Sequence, residues 1–282
     1  MPIHINHNNY NLLINQGKGI ILVQMKEKTL HFQIIGDGKP VIILHGLFGS
    51  GDNWKQIAKL LSSQYKCFLF DLPNHGQSFW LDTFNYNSLA QSVKQTIDNL
   101  NLTEPVSIIG HSMGGKVAMQ LVNNYPNLFQ KLVVVDIAPK QYPEGHNHIF
   151  EALLDLNTSL INQLSDAVDC INSKLNDIAL SHFLVKSLKR NKINHNYSWQ
   201  FNLQALIQNY QNILATPILD SQINTNSLFI YGNQSDYILQ SDLQSIETIF
   251  SHVKFNCLEN AGHWLHAQYP KKFSEFTTQF LA

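Results

Sequence analysis

Arginine is all but missing from this 282-residue chain: of 19 basic side chains, Arg190 alone is a guanidinium. That group is the preferred one for bidentate reading of phosphates and bases, and a formal net charge of −1 adds no pull towards polyanions. Nucleic acid is therefore not an expected partner. Long apolar runs are missing too. Val41-Ile42-Ile43-Leu44 and Leu132-Val133-Val134-Val135 are far shorter than the ~20 residues a bilayer-crossing helix needs, so no transmembrane segment is expected. The first 15 residues lack the basic and apolar regions of a secretory signal. Cysteine is scarce as well. Cys67, Cys170 and Cys257 are odd in number, widely spaced and free of any C-x-x-C pair, which argues against a disulfide framework or a zinc site and predicts a reduced, cytoplasmic setting.

What remains is a globular composition, 44% hydrophobic, in which β-branched runs alternate with helix-length segments. That is the pattern of a mostly parallel sheet with helices on both faces. Eight strands are predicted, over residues 20–24, 29–35, 41–44, 66–71, 106–109, 132–136, 227–231 and 254–258. Gly36-Asp37-Gly38 reads as a hairpin turn, so the sheet should open antiparallel. This Gly-x-Gly and the one at Gly17–Gly19 lack the strand–loop–helix setting of a nucleotide loop, and no cofactor is predicted. Strands stop between Pro139 and Leu219, where the apolar spacing is helical. The stretch is too long for a loop. It divides the chain into a core domain (1–138 and 220–282) and a helical cap inserted after the sixth strand (139–219).

The most informative segment is the apolar strand ending in Gly110-His111-Ser112-Met113-Gly114, followed by a helical pattern from Lys116. Gly-x-Ser-x-Gly in that context exposes a serine hydroxyl on a sharp strand-to-helix turn, beside the positive end of a helix. A serine needs a base before it can attack. Most of the 13 histidines, including His4, His7, His31, His146, His148, His182 and His195, sit in polar stretches and read as surface residues; His146 and His148 form an H-x-H pair, but a metal site there is not expected. His45 and His111 read as parts of the site wall, and His75 as a loop-ordering residue. His263 follows the last strand, at the same sheet edge as Ser112, and is the predicted base. A tetrahedral intermediate needs hydrogen-bond donors for its oxyanion. The backbone N–H groups of Met113 and of Leu47, in the loop His45-Gly46-Leu47-Phe48-Gly49-Ser50, are the candidates. Two aspartates compete as the acid that orients His263. Asp136 ends the strand beside that of Ser112; Asp236 lies in the turn after the seventh strand.

The motifs His45-Gly46, Asp71 with His75-Gly76-Gln77-Ser78, Gly110-His111-Ser112-Met113-Gly114-Gly115 and Asn260-Ala261-Gly262-His263-Trp264 resemble, in type and order, those of the α/β-hydrolase fold. The likeness is greatest to the YbfF-like bacterial esterases, through the loop at 45–50 and Asp136-Ile137-Ala138-Pro139. It implies a serine hydrolase acting on a small-molecule ester or thioester, without metal or organic cofactor. Ser112 would be the nucleophile, His263 the base, and Leu47 and Met113 the oxyanion hole. In most members of the fold the acid stands three residues after a glycine. Here that glycine is Gly232 and the third residue is Ser235, with Asp236 one place late, whereas the YbfF-like pattern puts the acid at Asp136. Carbon–carbon bond hydrolases of the same fold share these side chains, and other members are non-catalytic binding proteins. Phe150, Leu153, Leu156 and Phe183 read as internal packing of the cap, or alternatively as the lining of an acyl pocket. Lys186, Lys189, Arg190 and Lys192 read as a solvated helix face, or alternatively as a contact for acyl-CoA phosphates.

Overall fold

A computed structural model describes residues 28–193, 195–219 and 222–282, together with the backbone of two short antiparallel strands, β1 (Tyr10–Leu13) and β2 (Leu22–Met25). His4, His7 and the Gly17–Gly19 motif lie outside the described residues. The strands that follow are β3 (Phe32–Ile35), β4 (Lys39–Leu44), β5 (Tyr65–Phe70), β6 (Val106–His111), β7 (Phe129–Val135), β8 (Leu188–Arg190), β9 (Tyr197–Trp199), β10 (Asn226–Gly232) and β11 (Val253–Leu258). Helices α1 (Lys55–Leu61), α2 (Tyr86–Asp98) and α3 (Met113–Asn124) precede β7. Between β7 and β10 come α4 (Asn147–Asp155), α5 (Leu164–Leu175), α6 (Ile178–Val185), α7 (Leu203–Gln208) and α8 (Tyr210–Leu214). The chain closes with α9 (Gln240–Ile249), α10 (Leu265–Gln268) and α11 (Pro270–Leu281).

The main sheet has the order β11-β10-β7-β6-β4-β5-β3, parallel throughout except for β3, which runs antiparallel to β5. Its central strands are buried on both faces, as a parallel sheet requires. Alternate side chains divide between two cores. Val41, Ile43, Ile109, Val133 and Val135 pack with Trp54, Ile57 and Phe273, around α1 and α11. Ile42, Leu44, Ile108 and Val134 pack on the opposite face with Leu89, Val117 and Leu121, from α2 and α3.

Three sequence expectations are corrected. The main sheet has seven strands among the described residues rather than eight, because the expected first strand pairs with β1 in a separate ribbon. The segment at 36–38 does not close a hairpin: β3 and β4 are separated by β5. Its glycines instead let the chain cross close beneath the start of β5. A Cβ on Gly36 (φ 87°) would lie 2.4 Å from the Tyr65 carbonyl oxygen, and one on Gly38 (φ 122°) 2.3 Å from that of Gln64. Residues 139–219 are not purely helical either, since β8 and β9 form an antiparallel pair. Each is three residues long, too short for a period-two pattern to register. Leu188 faces Trp199, which stacks on Phe201 at 5.0 Å. The basic run is consequently no helix face: Lys186 caps α6, Lys189 and Arg190 lie in β8, and all four cations are exposed.

Candidate active site

The strand-to-helix turn between β6 and α3 is sharp enough to force Ser112 to φ 51°, ψ −121°, a region costing an L-residue about 1–3 kcal/mol. Backbone bonds hold it there. Ser112 N–H donates to the Val135 carbonyl (3.0 Å), and the Ser112 carbonyl accepts from Gly115 (2.8 Å) and Lys116 (3.2 Å). The flanking glycines are steric necessities. A Cβ on Gly110 would stand 2.3 Å from the Gly114 oxygen, and one on Gly114 2.4 Å from the His45 oxygen. The Gly-x-Ser-x-Gly spacing thus encodes close packing of α3 against β4 and β6.

Asp136 follows β7 in a left-handed conformation (φ 49°), fully buried. One carboxylate oxygen accepts from the Gly232 N–H (3.2 Å). The other accepts from the Ser235 hydroxyl and from His263 Nδ1 at 2.7 Å. A carboxylate only accepts, so the His263 proton sits on Nδ1 and Nε2 carries a free lone pair. Burial pushes the Asp136 carboxyl up, opposed by the Ser235 and Gly232 bonds, while burial pushes the His263 imidazolium down. The ring of Tyr237 stacks on the imidazole at 3.8 Å and 17°, and His111 flanks it at 4.6 Å. His111 Nε2 donates to the His263 carbonyl (2.9 Å). Asp236 is exposed, and among the described residues no bond joins it to His263. Nor does a hydrogen bond join Ser112 Oγ to His263 here; both residues line one cavity. Such contacts are commonly loose before substrate binds.

Two imidazoles shape the loop after β4. His45 accepts from Leu72 N–H through Nε2 (3.0 Å) and donates through Nδ1 to the Gly46 carbonyl (2.8 Å). His75 accepts from Phe48 N–H (3.2 Å) and donates to the Pro73 carbonyl (3.0 Å). Phe48 sits at φ 62°, turning the loop inward. Leu47 and Met113 both line the space around Ser112, and their N–H groups have no hydrogen-bond partner among the described residues.

His45, His75, His111 and His266 are fully buried, and in each case burial is the main force holding the imidazole below its ordinary value. Each is neutral when folded and takes up a proton when unfolded. Below about pH 6.5 the unfolded chain therefore binds more protons, and stability falls as pH falls, by up to ~1.4 kcal/mol per pH unit per histidine. Asp136, with its raised carboxyl, acts in the opposite sense, but it is one group against these four, and His263 acts with them. The urea midpoint should drop steadily from pH 7 to pH 5; a flat midpoint over that range would mean that these rings are not buried neutral.

Ser112 stands between two cavities of about 240 and 260 Å³. Phe48, Ile149, Leu180, Phe183 and Trp264 line the first; Tyr86, Lys116, Ile137, Tyr142 and Asp236 line the second. Leu47, Ser112, Gly145, His146 and Tyr237 are common to both and form the waist. Lys116, one helical turn beyond Ser112, donates through Nζ to the carbonyls of Leu214 (3.0 Å) and Ala215 (2.7 Å) and lies 4.7 Å from the Tyr142 ring. Burial, aided by Lys140, lowers its ammonium to about 7. Of the four apolar candidates, only Phe183 lines a cavity. Phe150, Leu153 and Leu156 belong to the core, with Phe150 edge-on to Phe48 (5.5 Å) and Tyr210 (5.0 Å). His146 is not a surface residue either, since it is half-buried at the waist. Ser235 and Tyr237 had no expected role. The one signal for Ser235 was the spacing after Gly232, which puts a hydroxyl where an acid is usual; Tyr237 left none. Among the described residues no three His, Cys, Asp or Glu side chains stand together as a metal site.

A serine on this turn, a histidine after the last strand and a mostly parallel sheet beneath them define a class: the chain belongs to the alpha/beta hydrolase fold family, whose pattern it matches over residues 39–270. It is 36% identical over 233 residues to a putative esterase/lipase of Haemophilus influenzae, covering 82% of this chain and 79% of the relative. It is 31% identical over 235 residues to esterase YbfF of Escherichia coli, covering 83% and 89%. A solved marine microorganism esterase is similar with a TM-score of 0.86 at 37% identity, over 90% of this chain and 99% of that one.

Proposed function

We propose that the chain hydrolyses carboxylic esters through an acyl-enzyme at Ser112. The observation that carries this reading is the 2.7 Å Asp136–His263 pair, whose imidazole lines the same cavity as a serine held on a strained turn. His263 Nε2 takes the Ser112 proton as Oγ bonds to the substrate carbonyl carbon. The resulting oxyanion is received by the N–H groups of Leu47 and Met113. As the intermediate collapses, the acyl–oxygen bond breaks and His263 returns the proton to the leaving alcohol. A water then repeats the sequence and frees the acid. Asp136 keeps the imidazole in the Nδ1–H tautomer and stabilises its charged form, with Ser235 and Gly232 holding the carboxylate. Residues 139–219 act as the cap over this centre. The free thiols Cys67, Cys170 and Cys257 suit a reducing cytoplasm.

Acyl-CoA thioesters are the finer reading. A groove of about 740 Å³ is lined by Lys55, Lys59, Lys186 and Lys189 and shares Phe183, Trp264 and His266 with the first cavity. Half of the basic run thus joins two lysines of α1, while Arg190 and Lys192 stand outside. Exposed charges are worth up to ~1 kcal/mol each, so changing the four groove lysines to Gln should raise KM for a CoA thioester about tenfold relative to a p-nitrophenyl ester. An unchanged ratio would leave simple esters as the substrates.

A further inference from the structure

One polar group at the waist has no part in the reaction just derived. His146 lines both cavities beside Ser112, and its two nitrogens are treated very differently. Nδ1 lies 2.7 Å from the hydroxyl of Tyr210. That hydroxyl oxygen already accepts from the N–H groups of Gly145 (3.0 Å) and His146 (2.9 Å). With both acceptor positions filled, the phenol proton has one place to go, and Tyr210 O–H must donate to Nδ1. Burial, with His148 adding to it, lowers the imidazolium and keeps the ring neutral. A neutral ring whose Nδ1 accepts carries its proton on Nε2. Among the described residues the Nε2–H has only the Tyr237 hydroxyl to meet, at 3.4 Å. Ordinary N–H···O bonds measure 2.7–3.2 Å. Tyr237 is not free to close that gap. Its ring is stacked on His263, and its carbonyl accepts from the Tyr142 hydroxyl at 2.5 Å. The fold therefore fixes a donor at the waist of the cavity and leaves it largely unspent.

We propose that His146 is a specificity-determining residue whose Nε2–H binds a neutral acceptor oxygen of the substrate, an ether or keto oxygen within about two bonds of the scissile carbonyl. The donor belongs at the waist because that is where the scissile group must stand to meet Ser112. Its acceptor is neutral because the ring is uncharged and the carboxylate of Asp136 is close to His263, so a second anion would be repelled. Tyr210 acts through His146 as a positioning residue, setting which nitrogen bears the proton. The inference rests on the reading of Ser112 as the ester-cleaving nucleophile.

The test compares p-nitrophenyl methoxyacetate with p-nitrophenyl butyrate, acyl groups of equal length in which an oxygen replaces one methylene. Their intrinsic reactivities differ, so the quantity read is the methoxyacetate-to-butyrate ratio of kcat/KM in each variant divided by that in the wild type. His146→Leu should lower the ratio about tenfold, and His146→Gln, which keeps a donor near the same position, should restore most of it. Tyr210→Phe, which removes the bond that sets the tautomer, should lower the ratio in the same direction. Equal losses on both esters, or an unchanged ratio, would overturn the proposal. Failure of the wild type to cleave either ester would instead overturn the hydrolase reading, and this inference with it.

Discussion

Ser112→Ala is expected to lower turnover of a p-nitrophenyl ester by about 10⁶-fold, the usual cost of losing a serine nucleophile, while the protein stays folded. The two halves of that result have separate causes. Activity disappears because, among the described residues, Ser112 carries the one alkyl hydroxyl of the waist, where the cavity lined by His263 meets the cavity lined by Met113; the other hydroxyl there, the Tyr237 phenol, belongs to a ring stacked on the imidazole. Stability persists because Ser112 Oγ makes no hydrogen bond among the described residues, and the strained turn is held by backbone bonds to Val135, Gly115 and Lys116 that alanine retains. An unchanged melting temperature with residual activity within tenfold of wild type would remove Ser112 from the mechanism.

The second large effect is expected at Asp136. Asparagine preserves the shape but offers one oxygen and one NH₂ where the site supplies three donors, from His263, Ser235 and Gly232. Whichever way the amide turns, a donor meets a donor, and the favoured escape is for His263 to move its proton to Nε2, which removes the lone pair that activates serine. Such a change costs about 10⁴ in turnover where the geometry survives. Asp236→Asn should cost less than tenfold, because Asp236 is exposed and unconnected to His263. The opposite ranking would transfer the acid to Asp236; comparable losses would mean that both carboxylates support the imidazole.

The contrast between the two aspartates shows what sequence could and could not reveal. The serine turn was legible because it is local: strand, Gly-x-Ser-x-Gly and helix follow one another, and the steric demands on Gly110 and Gly114 leave a fixed spacing behind them. The parallel sheet was legible because its buried strands read as continuous apolar runs. The pairing of β3 with β5 was not, since two glycines that permit a close crossing look the same as two that permit a hairpin. The β8–β9 pair was too short to leave a period. His146 was misread because its role depends on Tyr210 and Tyr237, 64 and 91 residues away, and no local pattern announces such a partnership. Ser235 was visible as a departure from the usual spacing, but only the fold shows its hydroxyl on the Asp136 carboxylate.

The central claim is that ester cleavage proceeds through an acyl group on Ser112. Its most direct test is mass analysis of the protein after acid quenching during turnover of p-nitrophenyl butyrate, followed by peptide mapping. The account predicts a single butyryl adduct on the peptide containing Ser112, absent from Ser112→Ala and accumulating in Asp136→Asn if that change slows deacylation more than acylation. Wild-type hydrolysis with an adduct on any other residue, or undiminished hydrolysis by Ser112→Ala, would contradict it.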